Sequence, residues 1–226
     1  MLSNLAPKAK AAVFVGIGSL IAGSGTLIYD IFTTKTIKEF IETKHFTILT
    51  SNSEDSDTWK AIIQDYTEQI KTQKKLKINN FEGGDENKIQ ELQKACESIL
   101  SVKYRVAVSN GIVNQVLWCV KQQKVEDYLI KNKFNVLKTT DTENTGDDPK
   151  WDEKIKEYLR VSENNKEKQL SEVTLEKSKS GTIDTAEKKS FINACKKLNE
   201  TKHFKEDFVK SYQLATSWCA EKQGES

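Results

Sequence analysis

Arginine, histidine, proline and cysteine are all scarce in this 226-residue chain, and each shortage excludes something. Arg105 and Arg160 are the only arginines among 35 basic residues, which stand against 33 acidic ones. A nucleic-acid interface depends on forked guanidinium donors and a clear positive excess, so no nucleic-acid partner is expected. Two histidines and four widely spaced cysteines leave little for metal chemistry. No P-loop, glycine-rich dinucleotide turn or G-x-S-x-G elbow occurs. A hydrophobic share of 37% and a mean hydropathy of −0.61 exclude a multi-span membrane protein. The 4 Trp, 6 Tyr and 9 Phe nevertheless supply the apolar mass of a folded core.

What the chain does have is one uncharged run near its start. Between Ala11 and Tyr29 there is no charged residue; Lys8 and Lys10 precede the run and Asp30 follows it. As a helix it would span roughly 28 Å, about the thickness of a bilayer's hydrocarbon core. The lysines orient it with a cytoplasmic N-terminus and everything after Asp30 outside. A cleavable signal with Ala22-Gly23-Ser24 at the cut competes with an uncleaved anchor over residues 1–35, and the length favours the anchor. Gly18 and Ala22 have small-xxx-small spacing, which is common in membrane helices whether or not they pair. Three of the 35 basic and one of the 33 acidic residues lie in 1–35, so the remainder carries 32 of each sign. Nothing in that balance steers it to anionic lipid or nucleic acid.

The rest of the chain repeats itself. At an offset of 88, Ile37, Phe40, Ile41, Phe46, Ile48 and Leu49 match Val125, Tyr128, Leu129, Phe134, Val136 and Leu137. Trp59, Ile63 and Tyr66 then match Trp151, Ile155 and Tyr158 with identical internal spacing. Ala95-Cys96 matches Ala194-Cys195, and Trp118-Cys119 matches Trp218-Cys219. Length changes fall between the markers. The expected architecture is therefore mainly α: an N-terminal transmembrane helix, then module one over 36–120 and its duplicate, module two, over 121–226.

Each module reads as four short helices with slight strand content. Thr36 with Glu39 forms a capping-box pattern ahead of the first, and a short extended piece (Phe46 to Leu49) follows it. The second helix opens at the tryptophan, with Asp148 and Pro149 as start signals in module two. The third carries the first cysteine, with Asp184 and Glu187 offering another capping pattern, and the fourth carries the Trp-Cys pair. The stretches Gln69–Gln90 and Ser162–Gly181 are polar and poor in aromatics. They read as mobile connectors or as helix ends projecting from the core.

An even cysteine count beyond a membrane segment reads as disulfides. Of three connectivities, duplication selects Cys96–Cys119 and Cys195–Cys219, because each copy had to be self-sufficient before it was doubled. A bridge closing a loop of about 24 residues is worth roughly 3 kcal/mol in the chain-entropy model. Zinc would need close ligand pairs, whereas His45 and His203 occupy unmatched positions in the two modules. The same mismatch argues against a Cys-His nucleophile. The acidic group Asp141, Glu143, Asp147 and Asp148 lacks the ligand order of a calcium loop, and its counterpart Glu54, Asp55 and Asp57 differs in length. No catalytic, cofactor or metal residue is assigned. Trp59, Tyr66, Trp118, Trp151, Tyr158 and Trp218 are expected to be the repeated core.

The pattern Phe134, Val136, Leu137, Trp151, Tyr158, Cys195, Trp218 and Cys219, with its module-one counterparts, resembles the large paralogous families of surface and membrane proteins of hemotropic mycoplasmas. Those combine a Gly/Ala-rich N-terminal membrane segment with modules ending in Trp-Cys. The resemblance implies a surface protein of a wall-less, blood-dwelling bacterium, concerned with antigenic variation or host-cell contact, and it transfers no catalytic residue. The expected function is a single-pass protein, held by residues 11–29, that displays antigen or contacts host-surface or immune proteins without catalytic activity. A surface nuclease or peptidase and a structural envelope component are the alternatives.

Overall fold

Thr36 starts the first helix by the mechanism its sequence suggests. Its hydroxyl accepts the Glu39 N–H at 3.3 Å while the Glu39 carboxylate accepts the Thr36 N–H at 2.6 Å, which closes the capping box. The helix that follows, α1 (Ile37–Glu42), buries Ile37, Phe40 and Ile41. The computed structural model describes residues 35–224 apart from 44–45, 80, 140–147 and 163. The expected membrane helix over 11–29 lies outside these residues, as do His45, Asp141, Glu143 and Asp147. Among the described residues no helix is long and apolar enough to cross a membrane.

Module one continues with α2 (Ser56–Thr72), α3 (Ile89–Leu100), α4 (Tyr104–Ser109) and a 3₁₀ segment (Val113–Cys119). Module two comprises α5 (Val125–Lys131), β1 (Phe134–Val136), α6 (Asp148–Ser162), α7 (Thr185–Asn199), α8 (Phe208–Trp218) and β2 (Ala220–Lys222). Trp59 and Trp151 are each the fourth residue of their helix, and Pro149 sits in the first turn of α6, where a missing N–H costs nothing. At α7, Asp184 accepts the Ala186 and Glu187 N–H groups at 3.0 and 3.1 Å. Glu187 does not close a box. It accepts the Lys177 and Ser178 N–H groups at 2.9 Å, and the Asp184 N–H donates to the Ser178 hydroxyl at 3.0 Å. The cap thereby ties down the connector before it.

Two antiparallel contacts recur in each module. The chain ahead of the first helix bridges to the residues following the third, as Thr36 with Lys103 and as Lys124 with Lys202. The extended piece after that helix pairs with the residues following the second cysteine. In module one Ile48 bridges to Val120 and the Leu49 N–H donates to Cys119 O at 3.0 Å. In module two β1 pairs with β2, Val136 opposite Ala220, and the Leu137 N–H donates to Cys219 O at 2.9 Å. The disulfides are Cys96–Cys119 and Cys195–Cys219, with Cα atoms 5.4 and 5.5 Å apart, as duplication requires. Apolar side chains from both modules form one continuous core.

Two expectations need correction. Trp118-Cys119 does not lie on an α-helix, whereas Trp218 ends α8 with Cys219 as its C-cap. Gly111, at φ +68°, turns the chain out of α4 at a point where α8 has no glycine, so module one finishes as a short helix and a 3₁₀ segment. The polar stretches do not project as mobile connectors either. Leu76, Ile78 and Phe81 are buried in one, and Leu170, Leu175 and Ser178 in the other. A few apolar residues among many lysines and glutamates bring each stretch back onto the core.

Each staple closes a loop within one module, so removing either (C96S/C119S or C195S/C219S) should lower unfolding stability by about 3 kcal/mol. Chemical denaturation checks this. Mass after alkylation should show no modified cysteine before reduction and all 4 afterwards.

Candidate functional site

The six aromatic residues expected in the core are all buried, and four of them form one device built twice. Tyr66 and Trp118 meet edge to face with ring centroids 5.2 Å apart and planes at 79°; Tyr158 and Trp218 repeat both values. Each tryptophan indole donates into the connector after the second helix, Trp118 to Leu76 O and Trp218 to Lys168 O, both at 2.9 Å. Each tyrosine hydroxyl accepts an N–H from the same connector, Ile78 to Tyr66 and Leu170 to Tyr158, both at 3.0 Å. Tyr66 also donates to Phe81 O at 2.8 Å. Burial pushes its phenol up to about 12. Because Trp118 and Trp218 precede the bridged cysteines, each disulfide anchors the backbone beside the ring that holds its connector.

Of the remaining two tryptophans, Trp59 donates to Thr50 O at 2.7 Å, and Trp151 packs edge to face on Phe191 at 6.2 Å. Asp55 accepts the Thr50 N–H and hydroxyl, both at 2.9 Å, and pairs with Lys121 at 3.1 Å. The Thr50 N–H and the Lys121 ammonium hold its carboxyl below the usual range, against a desolvation cost. That carboxylate locks the entry to α2. Asp148 begins α6, while the other acidic residues of its group lie outside the described residues. Among the described residues no cluster of His, Cys, Asp or Glu could hold a metal ion.

Sequence reasoning missed the junction between the modules. His203 has no histidine counterpart, as expected from the sequence; the residue that corresponds to it in module one is Tyr104. The Tyr104 N–H donates to Lys35 O at 2.8 Å and the His203 N–H to Gln123 O at 2.9 Å. The His203 ring reaches into module one. Its Nε2 lies 2.8 Å from Leu117 O, and its Nδ1 lies 3.1 Å from the Gln123 N–H. Leu117 O can only accept, so Nε2 carries a proton, and Nδ1, which accepts the Gln123 N–H, carries none, which makes this the neutral tautomer. Phe204 beside it stacks on Trp118 at 4.7 Å, and Phe46 packs against both Tyr128 and His203 at 5.8 Å. Asp65 completes the junction, accepting from Lys202 at 2.6 Å and from Gln122 at 2.7 Å. The signal was available at Phe204, an aromatic standing where the repeat places Arg105.

Equivalent surface grooves lie beside the third helix of each module. Module one's is about 480 Å³, with Ile78, Ile99, Val102 and Gln115 among its walls. In module two, Leu170, Leu198, Thr201 and Leu214 line one of about 230 Å³. Comparison with protein families, with curated proteins and with solved structures finds no match to this chain.

Y66F removes a buried donor and acceptor together, so it should destabilise by about 1–3 kcal/mol and speed proteolysis between residues 73 and 88. Limited digestion followed by mass spectrometry reads both the rate and the site.

Desolvation holds the His203 imidazole below its ordinary value of 6.5, against the pull of the Leu117 and Gln123 backbone groups. The unfolded chain therefore takes up a proton near pH 6.5 before the folded chain does, and folding stability falls as pH drops below about 6.5. Denaturation midpoints from pH 8 to 5 should show that decline in the native chain, and H203Q should lack the histidine-dependent part of it.

Proposed function

We propose that this protein is exported and displays its two modules at the cell surface, held by residues 11–29. Its role is interaction rather than catalysis, with host-surface or immune proteins as the partner class. The observation that carries this reading is the pair of disulfides, formed at corresponding positions with no free cysteine among the described residues. Such bridges persist in oxidising surroundings outside the cytosol. The uncharged run between Ala11 and Tyr29 supports the same topology.

The distribution of change between the modules supports display. The disulfide, the Tyr–Trp pair and the main-chain contacts around them repeat with nearly the same dimensions. The connector between the extended piece and the second helix is four residues longer in module two, over 138–147, than over 50–55. Invariant buried staples let such a loop vary in length and charge without disturbing the framework.

The test uses intact cells producing the full chain with a C-terminal tag. Protease added outside should remove the tag and both modules while a cytoplasmic control protein survives. A chain that stays protected until the membrane is opened would overturn the topology.

A further inference from the structure

The junction between the modules draws on two polar sockets of module one. Leu117 O is filled by His203 Nε2 at 2.8 Å, and the Asp65 carboxylate by Lys202 Nζ at 2.6 Å, both donors coming from module two. On module two Ser217 O corresponds to Leu117 O, and Glu157, an exposed carboxylate, corresponds to the partly buried Asp65. There the module supplies the donors itself. Lys154 Nζ donates to Ser217 O at 3.2 Å, and Arg160 donates twice to Glu157, from Nε at 3.0 Å and from Nη2 at 2.7 Å.

The residues that supply these cations differ from their counterparts in module one. Lys154 occupies the position of Ile62, which is 1% exposed in module one, and Arg160 occupies that of Glu68. Phe46, covered by Tyr128 and His203, is 4% exposed, whereas its counterpart Phe134 is only half-buried. Phe134 borders an open depression of about 820 Å³ whose walls include Lys150, Lys154, Glu221 and Lys222. It lies on the face that, in module one, receives the next module.

We propose that module two is the terminal cap of a head-to-tail module array. Lys154 and Arg160 close a docking face that would otherwise accept the Lys103–Val106 edge of a second copy of this chain. Repeat arrays require an end unit with a polar outer face, and a heterologous contact left open generates chains rather than closed dimers. The complementary edge is partly preserved, because Lys103 corresponds to Lys202. Arg105 replaces the stacking Phe204, so the edge of module one is altered against docking as well as the face of module two.

The experiment compares the full native chain in detergent with K154I/R160E, which restores the module-one residues, and with the same pair plus R105F. Sedimentation over a hundredfold concentration range reads the state of each. The native chain should keep one size throughout, since any association through the N-terminal segment is common to all three. K154I/R160E should form a concentration-dependent series of larger species, and R105F should move its onset to at least tenfold lower concentration. K154M, which keeps the side-chain length but donates nothing, stands in if Lys154→Ile prevents folding. Folded variants of constant size, a closed symmetric dimer, or a native chain that already extends with concentration would each overturn the proposal.

Discussion

The edge-to-face contact of tyrosine on tryptophan, made once in each module, is the constraint on which the rest depends. The tyrosine comes from the middle of the second helix and the tryptophan from the end of the module, so their meeting folds the chain back on itself. The adjacent disulfide ties the tryptophan to the third helix. Both rings then spend their polar atoms on the connector between those helices, which carries too few apolar residues to pack well unaided. A buried indole N–H or phenol O–H without a partner is expensive, so the connector carbonyls and amides are held as firmly as the rings.

Identical cores do not make the modules equivalent. Among the described residues module one has a neighbour on its outer face and module two has none, and the side chains record the difference. Where one presents Ile62 and Phe46 to be covered, the other carries Lys154 and leaves Phe134 at the surface. Burying an uncompensated carbonyl or carboxylate costs whichever module it belongs to. Module one therefore draws donors for Leu117 O and Asp65 from across the junction, whereas in module two Lys154 reaches Ser217 O and the exposed Glu157 pairs with Arg160. Some of the differences between the modules lie where their environments differ, as Ile62 against Lys154 and Phe204 against Arg105 do.

The same division of labour bears on the proposed surface display. The bridges, the Tyr–Trp pairs and the main-chain pairing lie inside, and the lysines and glutamates that make up most of the exterior take little part in them. Exchanging charges outside leaves that framework largely intact, since exposed ion pairs contribute little. The junction is the exception, because His203 and Asp65 link charge and protonation to the way the two halves sit together.

Much of the framework was legible in the residues. Capping at Thr36, a second helix near each of Trp59 and Trp151 (begun three residues before the tryptophan), and the pairing of Cys96 with Cys119 and Cys195 with Cys219 follow from spacing and from the repeat. These are local or symmetry-determined properties: a cap acts within four residues, and a duplicated unit must close on itself. Three features were not legible. The polar connectors looked detached because composition averages out isolated residues such as Leu76 and Leu170. Gly111 diverted the end of module one from a helix, a consequence of one positive φ. The junction role of His203 was hidden because its partners, Leu117 and Gln123, lie 80 or more positions away in sequence. The sequence by itself determined the modules, their staples and their helices. Only the tertiary structure decided which face of each module meets the other, because that choice depends on which buried donors and acceptors find partners across a distance no local pattern encodes.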